Sequence, residues 1–304
     1  MRIVRLFWAG VQIDFDGATI VIDLLEHTDP LRSILGDPRV PPVFAHQPLD
    51  AALVTHLHPD HYDPDALKQK LRAHAKVICD PANVARIARD GLAGVGATLY
   101  ESISIGPFTV TALPAVDGLG DPQISYLVEA NGVKLMHFGD TLWHGYWWKI
   151  RTRCGAPDIA FLPINGAVTQ FPGMKPSGLP ADLMPDQAAA AAAILGARIA
   201  CPIHYKAFHN PPVYVESPNV EETFLAATHR LGIVARVVEP GSRSAVRVEI
   251  SRSATSWLTP WVNKKRSDFD HSYNGSRNQD RWQRRNVSIR GVPVCSSKDS
   301  LWLL

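Results

Sequence analysis

The sequence predicts a layered α/β fold, with two sheets packed together and helices outside both. Three observations predict it. Strand-like segments come in two β-rich runs, each followed by β–α alternation. Several strands read as short unbroken apolar runs, the pattern of strands buried on both faces. The chain of 304 residues is 46% hydrophobic and 20% charged, ordinary for a soluble globular protein, and long enough to close a core without disulfides or structural metal.

Residues 2–8 form an apolar alternating strand, and residues 11–15 and 18–23 form a hairpin about Asp16-Gly17, a strong turn signal. Residues 28–48 are rich in Pro and Asp and read as a loop. A short buried strand at 51–55 precedes a helix at 63–73, with Asp63 as N-cap and Pro64 in the first turn. A strand at 76–79 and a helix at 81–90 complete the first half. The second half begins with strands at 98–105 and 108–113 about Gly106-Pro107, then 125–130 and 133–137 about Asn131-Gly132. A strand at 158–162, an alanine-rich helix at 186–195 ending at Gly196, and a strand at 199–202 follow. A helix at 217–231 and strands at 234–238 and 245–250 close the body. Residues 142–150 and 169–184 read as loops.

The formal net charge of +2 divides unevenly, +6 in residues 251–304 and −4 in residues 1–250. The tail lacks period and caps and is expected to be a disordered basic appendage, although it holds four of the eight tryptophans. The body offers no electrostatic reason to expect nucleic acid as a partner. Cys79, Cys154, Cys201 and Cys295 are widely spaced, which fits neither a disulfide framework nor a zinc ribbon. The start turns polar by Gln12 and lacks signal-peptide features, and no apolar run is long enough for a membrane span. A cytoplasmic location is expected.

The chemistry concentrates in His56-Leu57-His58-Pro59-Asp60-His61, directly after the strand at 51–55. Alternate residues of an extended segment point the same way, so His56 and His58 can reach one metal. Pro59 bends the chain, and Asp60 and His61 can then face a second ion. Imidazole and carboxylate suit zinc, manganese or iron. Four such donors at a strand end are far more than a histidine-rich loop acquires by chance.

This run resembles the HxHxDH signature of the metallo-β-lactamase superfamily. The resemblance implies a four-layer αββα sandwich over residues 1–250, with a one- or two-metal site between the sheet ends. His137-Phe138-Gly139-Asp140-Thr141 resembles the family's strand-end Gly-Asp-Thr, which would make Asp140 the bridging ligand. Residues 158–166, Met184-Pro185-Asp186-Gln187-Ala188 and Pro202-Ile203-His204-Tyr205 are similar to the branch of ascorbate-6-phosphate lactonase-like proteins, with His204 at the final ligand position. One departure stands out. Relatives usually carry a third histidine after a strand ending in Pro-Ala, but here Asp117 follows Leu113-Pro114-Ala115-Val116. Asp117 is the expected substitute ligand, with Asp121 behind it. A carboxylate there adds negative charge and tolerance of manganese or iron.

The implied function is a hydrolase with two divalent ions, zinc first, with manganese(II) or iron(II) also compatible. It would activate water against a lactone, ester or related small-molecule substrate. Asp60 would hold the second ion and accept the proton released in attack. His144, Asn165, Tyr205 and His209 are candidate pocket residues, whereas His137 reads as structural. Two alternatives remain open: a phosphodiesterase acting on nucleotides or nucleic acid, and a non-hydrolytic iron-binding protein. A homo-oligomer is compatible with the sequence.

Overall fold

A computed structural model describes residues 1–46 and 48–241. The expected domain boundary at 250/251, the strand at 245–250 and the tail lie outside the described residues.

Hairpins begin both halves. In the first, β1 (Arg2–Arg5), β2 (Val11–Phe15) and β3 (Ala18–Ile22) run antiparallel, and the pairing of Phe15 with Ala18 leaves Asp16-Gly17 as a two-residue turn. β4 (Leu49–Leu53), β5 (Leu71–Cys79) and β6 (Gly94–Gly96) then add in parallel, giving a six-stranded sheet in sequence order. In the second half, β7 (Ser102–Ile105), β8 (Phe108–Pro114), β9 (Ile124–Ala130) and β10 (Val133–His137) form an antiparallel meander. A short ribbon pairs β12 (Val168–Thr169) with β14 (Tyr214–Val215). β11 (Ile159–Pro163), β13 (Ile199–Ile203) and β15 (Val234–Ala235) extend the second sheet in parallel to seven strands.

The unbroken apolar strands are explained by three apolar layers. In β3, Ile20 and Ile22 enter the core shared by both sheets, while Val21 enters a second core on the outer face. There Ala66 and Leu67 of α2 (Pro64–Lys70) and Ile87 of α3 (Val84–Arg89) cover it. In β11, Ile159 and Phe161 face the shared core, whereas Ala160 and Leu162 face α4 (Trp147–Cys154), α5 (Pro185–Leu195) and α6 (Val220–Arg230). The alanines of α5 are short, so the helix lies close against the sheet. The order is helix, sheet, sheet, helix, as expected. Tyr126 of β9 ties the sheets: its hydroxyl donates to the carbonyl oxygens of Val54 at 2.9 Å and Ile78 at 2.8 Å.

Several element limits differ from expectation. The 28–48 loop contains a 3-10 turn at Asp29–Leu31 and α1 (Arg32–Leu35). α2 stops at Lys70, because Leu71 turns extended to pair with Leu49. The 98–105 strand shrinks to β7, with Leu99 only bridging Ala112. The aromatic run at 142–150 is not all loop, since Trp147 starts α4. Tyr146 precedes it without a side-chain cap, so the sequence carries no start signal there.

β3, β4, β10, β11 and β13 all deliver chain to one edge of the sandwich. Sites in α/β sheets form outside such carboxyl ends.

Candidate metal centre

The ligand run is shaped by its own backbone. The carbonyl of His58 accepts from the amides of His61 at 2.9 Å and Tyr62 at 3.0 Å, folding the segment into a turn. Asp63 then caps α2 by accepting from the Ala66 amide at 2.9 Å, and also accepts from the amides of Glu26 and His27. After β10, Gly139 adopts φ +59°, and a Cβ there would lie 2.9 Å from Thr55 Oγ1 and Gln123 Nε2. Only glycine lets Asp140 turn in beneath β4.

Two groups of donor atoms result, each with its atoms within 4.8 Å of one another: His56, His58, Asp117 and Asp140, and Asp60, His61 and His204. Asp140 lies between them, its Oδ2 3.5 Å from His56 Nε2 and 3.7 Å from His61 Nε2. Asp60 Oδ2 is 3.6 Å from His61 Nε2 and 3.4 Å from His204 Nε2. These separations exceed hydrogen-bond length. They match the ~3.4 Å expected between two donors that each sit about 2.1 Å from one tetrahedral ion.

Each imidazole is held from behind. His61 Nδ1 donates to Asp23 Oδ2 at 2.9 Å. His56 Nδ1 lies 3.1 Å from Thr55 Oγ1, which itself donates to Asp23 Oδ2 at 2.8 Å. His204 Nδ1 is at ion-pair distance, 3.2 Å, from Asp182 Oδ2. His58 reverses the arrangement: Nε2 meets Asp121 Oδ2 at 2.9 Å, leaving Nδ1 3.7 Å from Asp117 Oδ1. Such partners fix the tautomer and aim the other nitrogen inward. His56 Nε2, His61 Nε2, His204 Nε2 and Asp117 Oδ1 are buried without a hydrogen-bond partner. Unpaired buried polar atoms are costly, and these four, two in each donor group, fit bound cations.

The electrostatics agree. Burial disfavours a charged His61, yet Asp60, Asp140 and Asp23 outweigh it and lift its pKa to about 10. His56 goes the other way, pushed down to about 3 by burial. Burial and the Asp140 charge push the Asp117 carboxyl up. Carboxylates packed this closely call for positive charge between them.

The sequence missed four supporting residues. Asp23 and Asp182 are almost wholly buried behind His61 and His204. Gln123 Nε2 donates to Asp140 Oδ1 at 2.8 Å, leaving Oδ2 to face the histidines. Trp8 Nε1 donates to Asp60 Oδ2 at 3.0 Å, and its ring lies 4.0 Å from that of His204. A signal existed for Asp23, a lone acid between Ile20-Val21-Ile22 and Leu24-Leu25, where only a paired carboxylate is affordable.

The expected pocket residues fare differently. The Tyr205 hydroxyl donates to Glu221 Oε2 at 2.9 Å and accepts from Arg5, within the core around α6, which removes it as a donor to substrate. Asn165 is fully buried, and one of its two amide hydrogens is donated to the Tyr214 hydroxyl at 2.5 Å. His144 stacks on Trp147 at 4.1 Å, its Nδ1 accepting from the Tyr146 amide, and burial lowers its pKa to about 4. His209 lies outside both donor groups, and partial burial, with Arg39, lowers its pKa. His137 is structural as expected, Nε2 meeting the Ala9 carbonyl at 2.8 Å.

The family model of the beta-lactamase superfamily domain matches residues 27–205, more than half of the chain. The chain belongs to this superfamily. A "UPF0173 metal-dependent hydrolase" of Thermococcus kodakarensis is 30% identical over 173 residues, covering 54% of this chain and 69% of the relative. One of the same name from Opitutus terrae is 28% identical over 205 residues, covering 64% and 81%. Among solved structures, the metallo hydrolase Igni18 of Ignicoccus hospitalis aligns at TM-score 0.59 and 20% identity, over 79% of this chain and 96% of that one. That likeness shows the shared superfamily fold. The superfamily member described here is a metal-dependent hydrolase, and the candidate centre lies where its sandwich brings the two halves together. Among the described residues, no helix is long and apolar enough to cross a membrane.

Proposed function

We propose that His56, His58, Asp117 and Asp140 hold one divalent ion, that Asp60, His61, His204 and Asp140 hold a second, and that the chain hydrolyses a lactone, ester or related small molecule in the cytoplasm. The observation that carries the reading is the set of inward-facing ring nitrogens: the other nitrogen of His56, His58 and His61 is hydrogen-bonded from behind, and that of His204 lies 3.2 Å from Asp182 Oδ2. Ions bound there supply Lewis acidity and acidify water to near neutrality.

The chain's own groups have separable tasks. Asp23, Asp121, Asp182 and Thr55 orient the imidazoles. Gln123 leaves one Asp140 oxygen to be shared between the two positions. Asp60 is buried, but His61 and His204 beside it hold its carboxyl well below the usual range. That suits a charged ligand and makes it a weak proton acceptor, so the proton-accepting role is not carried over to it. Asn165 and Tyr214 form a neutral pair near the acids. Burial, with Asp182 and Asp60, keeps the Tyr214 phenol protonated. The lactone preference rests on the likeness of residues 158–166 and 202–205 to the lactonase-like branch.

The test is a panel of lactones, esters and phosphodiesters on stripped and metal-reloaded full-length protein. Turnover of a lactone or ester that appears on reloading and vanishes in Asp140→Asn is expected. Phosphodiester turnover alone would overturn the substrate class.

A further inference from the structure

The replacement of a histidine by Asp117 changes the symmetry of the centre. On the reading above, on which this inference rests, each metal position now receives two imidazoles, one carboxylate of its own and a share of Asp140. The first has His56, His58 and Asp117, and the second has His61, His204 and Asp60. A histidine at position 117 would give the first position three imidazoles and the second two.

The loop at 117–121 is built to present one carboxylate oxygen. Asp117 Oδ2 accepts from the amides of Leu119 at 2.7 Å and Asp121 at 2.9 Å. Oδ1 is left buried, without a hydrogen-bond partner, facing His58. Two amide hydrogen bonds prevent the carboxylate from rotating away. Gly118 fixes the loop against the Ala181 carbonyl, where any Cβ would collide. The same loop supplies Asp121, which turns His58 Nδ1 inward. Ligand and orienting residue therefore come from one five-residue unit.

We propose that Asp117 makes the two metal positions chemically alike and biases the pair toward oxygen-preferring ions, manganese(II) or iron(II), relative to zinc. Carboxylate donors suit these ions, and imidazole-rich tetrahedral sets suit zinc. Asp60, Asp117 and Asp140 together offset three of the four positive charges of two divalent ions.

The experiment uses full-length protein stripped with chelator and equilibrated with equimolar zinc and manganese. Bound metals are counted by mass spectrometry after desalting, and folding is followed by circular dichroism. Asp117→His should raise the bound zinc-to-manganese ratio by about tenfold or more, while Asp117→Glu should stay within about threefold of the parent protein. An unchanged ratio in Asp117→His, with both positions filled, overturns this proposal alone. If the histidine variant does not fold, Asp117→Asn decides: a raised zinc-to-manganese ratio supports the proposal, and the parent ratio overturns it. A parent protein that binds neither metal contradicts the dinuclear reading, and this proposal with it.

Discussion

Asp23 Oδ2 stands 2.9 Å behind His61 Nδ1 and 2.8 Å from Thr55 Oγ1, so one buried carboxylate orients His61 directly and His56 through a hydroxyl. Its other oxygen accepts from the Thr55 amide at 2.8 Å. Asp23 itself adopts φ +49°, a region that Asp tolerates better than most residues. Asp23→Asn should therefore weaken metal binding by about 10–100-fold, the usual effect of removing a partner of a ligating histidine. Calorimetric metal titration checks it, and unchanged affinity would mean that the histidines hold their orientation without Asp23.

Gly139→Ala should destabilise the fold by about 2–4 kcal/mol, because the position combines positive φ with a Cβ crowded by Thr55 and Gln123. Thermal unfolding of the metal-free protein isolates this term from loss of metal.

The clamp between His27 and Asp63 gives opposite pH dependences. Burial opposes ionisation of Asp63, but amide hydrogen bonds from Ala66, His27 and Glu26 hold its pKa below the usual carboxylate value. Its contribution is present above about pH 4 and is lost as pH falls through the lowered folded value. His27 is raised above 6.5 by its hydrogen bond to Asp63. Its contribution is complete below 6.5 and is lost as pH rises through the raised folded value. The His27 side chain is about half exposed, so its term should be small. Asp63→Ala should cost about 1–2 kcal/mol near pH 6, as loss of a helix cap does, and should flatten both slopes. Denaturant titrations from acid to mildly alkaline pH measure this directly.

The fold and the centre were legible to different depths. Short apolar runs exposed β3, β4 and β11, because Ile20–Ile22 and Ile159–Leu162 feed two cores at once and so read as unbroken. Asp16-Gly17 and Asn131-Gly132 announced their hairpins through turn chemistry that acts within four residues. α4 was illegible, since its start rests on packing of Trp147 and Ile150 rather than on a cap. The same contrast holds at the centre. His56, His58, Asp60 and His61 are adjacent in sequence, whereas Asp182 is defined only by folding 22 residues before His204. Tyr205 misled because adjacency to His204 says nothing of direction: β13 ends at Ile203 and the chain turns at His204, which has φ +59°, so Tyr205 is sent to Arg5 and Glu221 instead.

Metal should also act on stability. Closely packed carboxylates repel in the metal-free protein, so saturating ion should raise the unfolding free energy by about 3–4 kcal/mol at 100–1,000 times Kd. A chelator should reverse the rise in melting temperature, and insensitivity to both would place the ions elsewhere or nowhere.

The most direct test of the dinuclear centre is the metal content of the parent protein against Asp140→Asn, since Asp140 Oδ2 lies 3.5 Å from His56 Nε2 of one donor group and 3.7 Å from His61 Nε2 of the other. The parent should take up about two divalent ions per chain and the variant about one or none, with metal-dependent turnover lost. Two ions bound to the variant with undiminished affinity, or none bound to the parent, would contradict the account.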